Sequence, residues 1–241
     1  FTEEYGELVL CYDNKTNWRR DYFPNYKHSR RKDRKASKLD WGSIFDTLHL
    51  IKTELQDNFP YKVLEVEDSE ADDIIASIVH WVSGSPSRYE KVLIVSGDKD
   101  FIQLQKHNFV TQYSPTLKKF INGIDPVTYI REHILKGDRS DGVPNFLSPD
   151  NCFVDDMRQR PISKKKLATW VDLEPEDFCN EEMLRNYQRN RKLIDLEYAP
   201  AGITDRCIQA YLNSTVKDRS GLLNYFIKHR LKNHMENIGD F

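Results

Sequence analysis

The stretch Lys91–Asp100 reads KVLIVSGDKD and decides the fold class. Its four apolar residues follow one another without alternation, which is typical of a strand buried on both faces of a parallel sheet. Ser96 and Gly97 end this strand, and Asp98 and Asp100 follow directly. Because ligands bind at the carboxyl ends of the strands in an open parallel sheet, we expect the two aspartates to belong to a functional site.

Strand and helix patterns alternate on both sides of this stretch. Three further segments have strand patterns, at residues 8–12, 61–66 and 108–113. Helical patterns lie between the strands, at residues 41–59, 70–82 and 101–104. The alternation predicts an α/β domain with a central, mostly parallel twisted sheet that is flanked by helices. The helix at 41–59, which Pro60 ends, is expected to pack its apolar face on the core.

The second part of the chain has no strand pattern. After Asp125 the helical patterns occupy residues 126–136, 163–171, 181–196, 204–213 and 219–232. We therefore expect two domains, an α/β core at residues 1–136 and a smaller helical domain at residues 137–241.

The composition excludes several classes of protein. Of the 241 residues, 39% are hydrophobic and 31% are charged, enough apolar material for a sizeable core rather than a disordered chain. No apolar run has the length of a membrane span. The four cysteines form no C-x-x-C pair, so neither a disulfide framework nor a zinc site is expected. These features favour a cytoplasmic protein that does not bind a membrane.

Charge is segregated along the chain, although the formal net charge is only −2. Residues 15–38 contain ten Lys and Arg against two acids, whereas residues 65–73 contain six acids and no base. Each block alone is best interpreted as a solvated surface. Together they suggest that the basic segment binds phosphates and that the acidic segment binds cations.

The acidic residues follow predicted strands or helix starts. They are Asp13, Glu70, Asp72, Asp98, Asp100, Asp138 and Asp141. Each alone can be explained by a helix N-terminus or a Gly-Asp turn. Gathered at one sheet edge, however, they would raise one another's pKa values unless cations compensate them. Carboxylates without a nearby His or Cys favour Mg²⁺ or Mn²⁺ over zinc, and the seven histidines, which show no ligand spacing, are assigned no role.

Such a cluster beside a basic segment favours phosphodiester hydrolysis. Two metal ions activate a water and stabilise the leaving oxygen in this reaction. A phosphatase or a nucleotide hydrolase would use the same chemistry on a smaller substrate, and the basic segment argues against both. The residues thus predict metal-dependent hydrolysis of nucleic acid.

Three motifs in this order closely resemble the 5′-nuclease family, which includes flap endonucleases, the 5′-to-3′ exonuclease domain of bacterial DNA polymerase I and phage 5′-nucleases. The motifs are EADDIIA at 70–76, SGDKDF at 96–101 and GDRSDGVP at 137–144. WRRDYFPNYKHSR at 18–30 resembles the arch segment of the phage members, and NRKLIDL at 190–196 is most similar to the ribonuclease H of T-even bacteriophages. The resemblance covers nearly the whole chain from Leu8.

The resemblance implies a PIN-like nuclease core with an arch segment at 14–39, and a helical DNA-binding domain with a region like a helix-hairpin-helix. It implies two Mg²⁺ ions, for which Mn²⁺ can substitute. The first ion would be held by Asp13, Glu70, Asp72 and Asp98, and the second by Asp100, Asp138 and Asp141. Catalytic roles fall on Asp13, Asp72, Asp98, Lys27 and Arg30. Nucleic acid would be bound by Arg19, Arg20, Lys27, Arg30, Lys164, Lys165 and Lys166, whereas Asp73 is expected to hydrogen-bond locally and Tyr26 to pack.

The sequence departs from the family pattern in two regions. The family begins with a strand that carries a further aspartate ligand, and we expect this first strand to be missing here. The Gly-rich hairpin that follows the family's G-D-x-x-D motif is replaced by a long insertion before Ser163. The polymerase domain of the bacterial members does not follow either, so a bacterial polymerase is not expected as the parent protein.

The expected activity is 5′-to-3′ cleavage of RNA·DNA or DNA duplex ends and flaps, which removes RNA primers during phage replication in the host cytoplasm. Expected partners are branched or nicked duplex DNA, RNA·DNA hybrids and a phage single-stranded-DNA-binding protein, and the chain is expected to be a monomer. Two alternatives are a non-catalytic, structure-specific DNA-binding protein with an incomplete metal site and a ribonuclease of the wider PIN-like superfamily. The arch segment and the hairpin region argue against the second alternative.

Overall fold

The computed structural model describes residues 2–84 and 91–241. The described strands are β1 Val9–Tyr12, β2 Lys62–Glu65, β3 Val92–Val95, β4 Val110–Ser114 and β5 Lys119–Ile121. The helices of the first half are α1 Thr2–Tyr5, α2 Trp18–Tyr22, α3 His28–Ala36, α4 Trp41–Asn58, α5 Ala71–Ser83 and α6 Pro126–Lys136. Those of the second half are α7 Lys164–Trp170, α8 Pro175–Phe178, α9 Glu181–Ile194, α10 Ala201–Asn213, α11 Leu222–Lys228 and α12 Lys232–Glu236. A 3₁₀ helix at Lys99–Lys106 is the longest of four such segments among the described residues.

The strands form two small sheets, and most of the pairing is parallel. Strand β1 pairs with β2 from Val9 opposite Lys62 to Tyr12 opposite Glu65. Strand β3 pairs with β4 in parallel, and β5 adds to β4 in the antiparallel sense. The predicted α/β class is therefore confirmed, but the described strands lie in two sheets and not in one. Strand β5 was not predicted because its three residues are too short for a clear alternation pattern.

Helix α5 lies between the two sheets and joins them into one fold. Ile74 on one face packs with Leu64 of β2 and with Ile203 of α10. Val79 on the other face packs with Ile94 of β3 and with residues of the 3₁₀ helix. Because α5 buries two faces, it fixes the distance between the ends of β1 and β3, where the predicted site residues lie.

The C-terminal helices pack back onto the first half of the chain. Ile134 and Leu135 of α6 share a cluster with Phe146 and with Tyr187 of α9. Apolar packing thus crosses the domain boundary expected at Lys136, and the boundary itself stays a prediction.

Helix α4 has the predicted bounds but a different environment. None of its residues is buried, and the exposed fractions of Phe45, Leu48, Leu50 and Ile51 are 45–56%. Periodicity identifies an apolar helix face, but it does not identify what covers that face. No helix in residues 2–84 or 91–241 has both the length and the hydropathy needed to cross a bilayer.

Candidate metal and nucleic-acid site

The carboxylates come together because strands β1 and β3 both end near the start of α5. Asp13 follows β1, and its Oδ1 accepts a hydrogen bond of 2.8 Å from the backbone N–H of Ala71, at the start of α5. Asp98 follows β3 and accepts a hydrogen bond of 3.0 Å from the backbone N–H of Asp100. Both contacts use a carboxylate to satisfy a free N–H at a helix N-terminus.

Five of the seven predicted metal ligands line one small cleft. They are Glu70, Asp72, Asp100, Asp138 and Asp141. The volume of the cleft is about 10 Å³, which is room for roughly one water-sized particle. Asp98 lies close enough to raise the pKa values of Asp72 and Asp100. A larger cleft of about 260 Å³ lies between α6 and α9, and it contains none of the predicted ligands.

One part of the cluster, which we call the paired half, consists of carboxylates already bound to donors from the arch segment. It contains Glu70, Asp73 and Asp141. Arg19 donates to both oxygens of Asp73, each at 2.8 Å, and its second partner is Glu70 at 3.3 Å. The side chains of Arg19 and Asp73 are 3% and 0% exposed, so this ion pair is buried. Removing one member of such a pair would leave an uncompensated buried charge.

The segment after α2 adds three more donors to the paired half. The Tyr26 hydroxyl lies 2.8 Å from Glu70 and 2.7 Å from Asp141, close enough to donate to either carboxylate. Lys27 forms ion pairs with the same two carboxylates, and Arg30 donates to Asp141 at 2.6 Å. Burial opposes ionisation of Glu70, but Lys27 and Arg19 together bring its pKa below the ordinary value. Glu70 is thus ionised and compensated by the protein itself.

The other part, which we call the open half, consists of Asp72, Asp98 and Asp100. Among the described side chains no lysine or arginine forms an ion pair with any of these three. Burial, followed by the charges of Glu70 and Asp98, raises the pKa of Asp72 to about 8. Burial also raises the pKa of Asp100 to about 7, with His133 opposing the shift and Asp98 adding to it. Asp72 and Asp100 therefore hold protons near neutral pH unless a cation is supplied.

His133 is a member of the cluster that the sequence reasoning missed. Its Nδ1 lies 3.4 Å from Asp100 and its Nε2 lies 3.5 Å from Asp138. Burial alone would lower the pKa of His133, but Asp138 and Asp100 raise it above the ordinary value. Hydrogen bonds from His133 and Ser140 hold the pKa of Asp138 well below its usual range, against the effect of burial. The sequence feature that could have identified His133 is its position near the end of α6, five residues before Asp138.

Two glycines hold the loop that carries Asp138 and Asp141. Gly137 has φ +67°, and a Cβ there would lie 2.4 Å from the carbonyl oxygen of Val143. Gly142 has φ +74°, and a Cβ there would lie 3.0 Å from the carbonyl oxygen of Asn25 in the arch segment. Only glycine combines this backbone conformation with so close an approach. The loop therefore packs directly on the arch segment.

The cations predicted to bind nucleic acid have different environments. Arg19 is only 2% exposed and is committed to carboxylates, which leaves no surface for a phosphate. Arg20 and Lys27 are partly buried, whereas the side chain of Arg30 is 43% exposed. Helix α3 continues with exposed cations, and Lys164, Lys165 and Lys166 are all exposed at the start of α7. Ser163 caps that helix by accepting a hydrogen bond from the backbone N–H of Lys166.

Comparison with known proteins identifies the family of this chain. The model of the 5′-3′ exonuclease N-terminal, resolvase-like domain matches residues 1–133, and that of the T4 RNase H C-terminal region matches residues 125–241. The ribonuclease H of Enterobacteria phage T4 is 33% identical over 250 residues, which cover 98% of this chain and 80% of the phage protein.

Two solved structures have the same fold. A T5 5′-exonuclease with bound divalent metal ions (zinc) has a TM-score of 0.56 at 17% identity, over 88% of this chain and 86% of that chain. A bacteriophage T5 flap endonuclease, in a pseudo-enzyme–product complex with DNA and metal ions, has a TM-score of 0.54 at 18% identity. The match covers 88% of this chain and 85% of that chain. These likenesses confirm the predicted 5′-nuclease fold. With a family model matching more than half of its length and a phage relative one-third identical over nearly all of it, this chain belongs to the 5′-3′ exonuclease family of nucleases.

Proposed function

We propose that this chain is a divalent-metal-dependent 5′-to-3′ nuclease that cleaves phosphodiester bonds in RNA·DNA hybrids, DNA duplex ends and flaps. The observation that carries the proposal is the open half. Asp72 and Asp100 line the cleft, burial raises their pKa values, and no described lysine or arginine pairs with them, while Arg30 of the basic helix α3 contacts Asp141 at the same cleft. Removal of RNA primers during phage replication would be the use of this activity.

The donor atoms of the cluster fit hard divalent cations such as Mg²⁺ and Mn²⁺, because most of them are carboxylate oxygens. Asp13, Asp72 and Asp98, together with Glu70, would hold one ion, and Asp100, Asp138 and Asp141 would hold the second. When bound, such ions activate a water and stabilise the leaving oxygen. The raised pKa values of Asp72 and Asp100 support this proposal, because added positive charge would stabilise their ionised forms.

The chain's own cations would bind and orient the substrate. Lys27 and Arg30 lie at the edge of the cleft, where each is already paired with Asp141. We propose that they exchange this carboxylate for the phosphate next to the bond that is cleaved. Arg20 and the lysines at 164–166 would contact phosphates farther along the duplex. Arg19 instead has a positioning role, because it holds α2 and the start of α5 together.

The chain is proposed to act as a monomer on branched or nicked duplexes in the host cytoplasm, in cooperation with a phage single-stranded-DNA-binding protein. The T4 and T5 proteins support a nucleic-acid substrate, since one is named a ribonuclease H and the other is complexed with DNA.

One observation favours the alternative of a non-catalytic, structure-specific DNA-binding protein. Two of the predicted ligands, Glu70 and Asp141, are already neutralised by arch-segment cations. A site that keeps these ion pairs would bind DNA without holding both metal ions.

The test is single-turnover cleavage of a 5′-labelled RNA·DNA duplex and of a flapped DNA duplex, with Mg²⁺, with Mn²⁺ and with chelator. Short 5′ products that depend on the metal are expected. Cleavage that survives the chelator would overturn the metal dependence. Tight, structure-specific binding without cleavage under all conditions would favour the alternative.

A further inference from the structure

The most informative feature that the proposed function leaves unexplained is His133. It faces the open half from α6, while the other predicted ligands are carboxylates on loops and helix starts. The ligating atoms of Asp100, His133 and Asp138 all lie within 4.8 Å of one another. These three residues offer both nitrogen and oxygen ligands, whereas the sequence analysis predicted oxygen ligands only.

The two ring nitrogens of His133 have different environments. Nε2 faces the carboxylate of Asp138 at 3.5 Å. Nδ1 is buried, has no hydrogen-bond partner in the described part of the chain, and lies 3.4 Å from Asp100 Oδ1. Two atoms that each lie about 2.0–2.2 Å from a shared ion are separated by roughly 3.0–3.4 Å at octahedral to tetrahedral angles. The Nδ1 to Oδ1 distance therefore fits two ligands of one ion.

The surroundings hold the imidazole ring in this orientation. Tyr129, one turn earlier on α6, packs edge-on against the ring at a centroid distance of 5.6 Å. Only 15% of the His133 side chain is exposed. An N–H at Nε2 directed to Asp138 would leave Nδ1 free to bind a metal, which is the usual arrangement of a ligating histidine and its outer carboxylate.

We propose that His133 supplies a nitrogen ligand, through Nδ1, to an ion held directly by Asp100, with Asp138 accepting from Nε2 as the outer carboxylate, so that this position prefers Mn²⁺ or a later first-row divalent ion to Mg²⁺. The inference rests on the proposed metal dependence and adds a selectivity that carboxylates alone would not provide. Imidazole nitrogen binds transition ions well, whereas Mg²⁺ prefers carboxylate and water oxygens.

The direct test is electron spin echo envelope modulation of the Mn²⁺-loaded protein, because a bound imidazole nitrogen modulates the Mn²⁺ echo and a carboxylate oxygen does not. Nitrogen modulation is expected in the unmodified protein and should be lost in His133→Gln. His49→Gln is the matched control, since His49 is exposed on α4 away from the cleft, and it should keep the signal. Circular dichroism checks that each variant is folded.

Calorimetric titration gives a second readout. His133→Gln should lower the affinity for Mn²⁺ by about tenfold or more and leave that for Mg²⁺ nearly unchanged. His133→Asp, which replaces nitrogen by oxygen, should shift the preference toward Mg²⁺, and it provides the same comparison if the glutamine variant fails to fold.

Absence of nitrogen modulation in the unmodified protein, its survival in His133→Gln, or an equal loss of both affinities would overturn the inference. Metal-dependent cleavage without nitrogen modulation would refute the role of His133 and keep the proposed function. Nitrogen modulation without any cleavage would support His133 as a metal ligand and refute the proposed function.

Discussion

The paired half and the open half of the cluster contain the same kind of side chain in opposite electrostatic states. Glu70 in the paired half is buried and still has a lowered pKa, because Lys27 and Arg19 contact it. Asp72 in the open half is two residues away on the same helix start, and burial raises its pKa to about 8. The comparison shows that burial alone does not decide the charge of a carboxylate here. Glu70 differs from Asp72 because two cations of the arch segment contact it.

This difference divides the work of the site. The paired half is stabilised within the protein and fixes the arch segment to the start of α5 and to the loop at 137–142. The open half has no described lysine or arginine partner, and the proposed metal ions would compensate its charge. Substitutions in the two halves should therefore have different effects, on folding in the first and on chemistry in the second.

The largest effect is expected in the open half. Asp72→Asn or Asp100→Asn should lower the single-turnover cleavage rate by about 10³-fold or more, equivalent to roughly 4 kcal/mol, because a charged metal ligand is lost. Affinity for DNA, measured by fluorescence anisotropy, should stay the same or improve, since a negative charge is removed. The control is Asp57→Asn on the exposed side of α4, with unchanged cleavage. A loss of less than tenfold in the open-half variants would contradict their assignment.

Breaking the paired half should affect stability. Arg19→Ala leaves Asp73 buried without its bidentate partner, and we expect a loss of about 3–5 kcal/mol in the free energy of unfolding. Urea denaturation followed by circular dichroism measures it. The side chain of Arg20, next to it on α2, makes none of the described hydrogen bonds or ion pairs, so Arg20→Ala should cost less than about 0.5 kcal/mol. Equal stability of the two variants would show that the buried pair does not hold the arch segment.

The two halves should also differ in their response to pH. Asp72 and Asp100 have folded-state pKa values of about 8 and 7, whereas in the unfolded chain they ionise near 3.8. The folded state therefore binds more protons between about pH 4 and 8, and the metal-free protein should lose stability as the pH rises through that window. We expect a decrease of about 1–3 kcal/mol between pH 5 and 8.

Urea denaturation in chelator at both pH values measures this decrease, and addition of Mn²⁺ or Mg²⁺ should remove it. Asp72→Asn should flatten the dependence. Comparison with that variant subtracts the contribution of His80 and His107, whose lowered pKa values act in the opposite direction. If the metal-free protein gains stability between pH 5 and 8, the raised pKa values assigned to Asp72 and Asp100 are wrong.

The smallest effect concerns phosphate contacts distant from both halves. Replacing Lys164, Lys165 and Lys166 by Ala should reduce the slope of log binding constant against log salt by about 1 to 3, because each lost phosphate contact contributes about 0.9. The cleavage rate at saturating enzyme should not change. Alanine at three exposed lysines elsewhere, Lys217, Lys228 and Lys232, is the matched control. An unchanged slope in the first triple variant would mean that α7 does not face the duplex.

Local patterns predicted the elements that carry the site. The apolar run before Asp98 and the acidic helix start after Ser69 are strand β3 and helix α5 within one or two residues. Such signals are readable because strand burial and helix capping depend on residues close in sequence. Of the five predicted ligands that converge on one cleft, Glu70, Asp72 and Asp100 follow strands β2 and β3, as acids at the ends of strands should, whereas Asp138 and Asp141 follow helix α6. Their roles in metal binding stay a prediction.

The remaining features depend on which segments pack together. Arg19 looked like a phosphate contact in a basic run, and it is buried because Asp73, 54 residues later, lies beside it. His133 had no ligand spacing, and it joins the cluster only because α6 packs against the 3₁₀ helix that carries Asp100. The sequence by itself determined the elements, their order and the acids at their ends. Only the tertiary structure decided which of these acids find a cation within the protein and which do not, because electrostatic compensation acts over a few ångströms in space and is indifferent to separation along the chain.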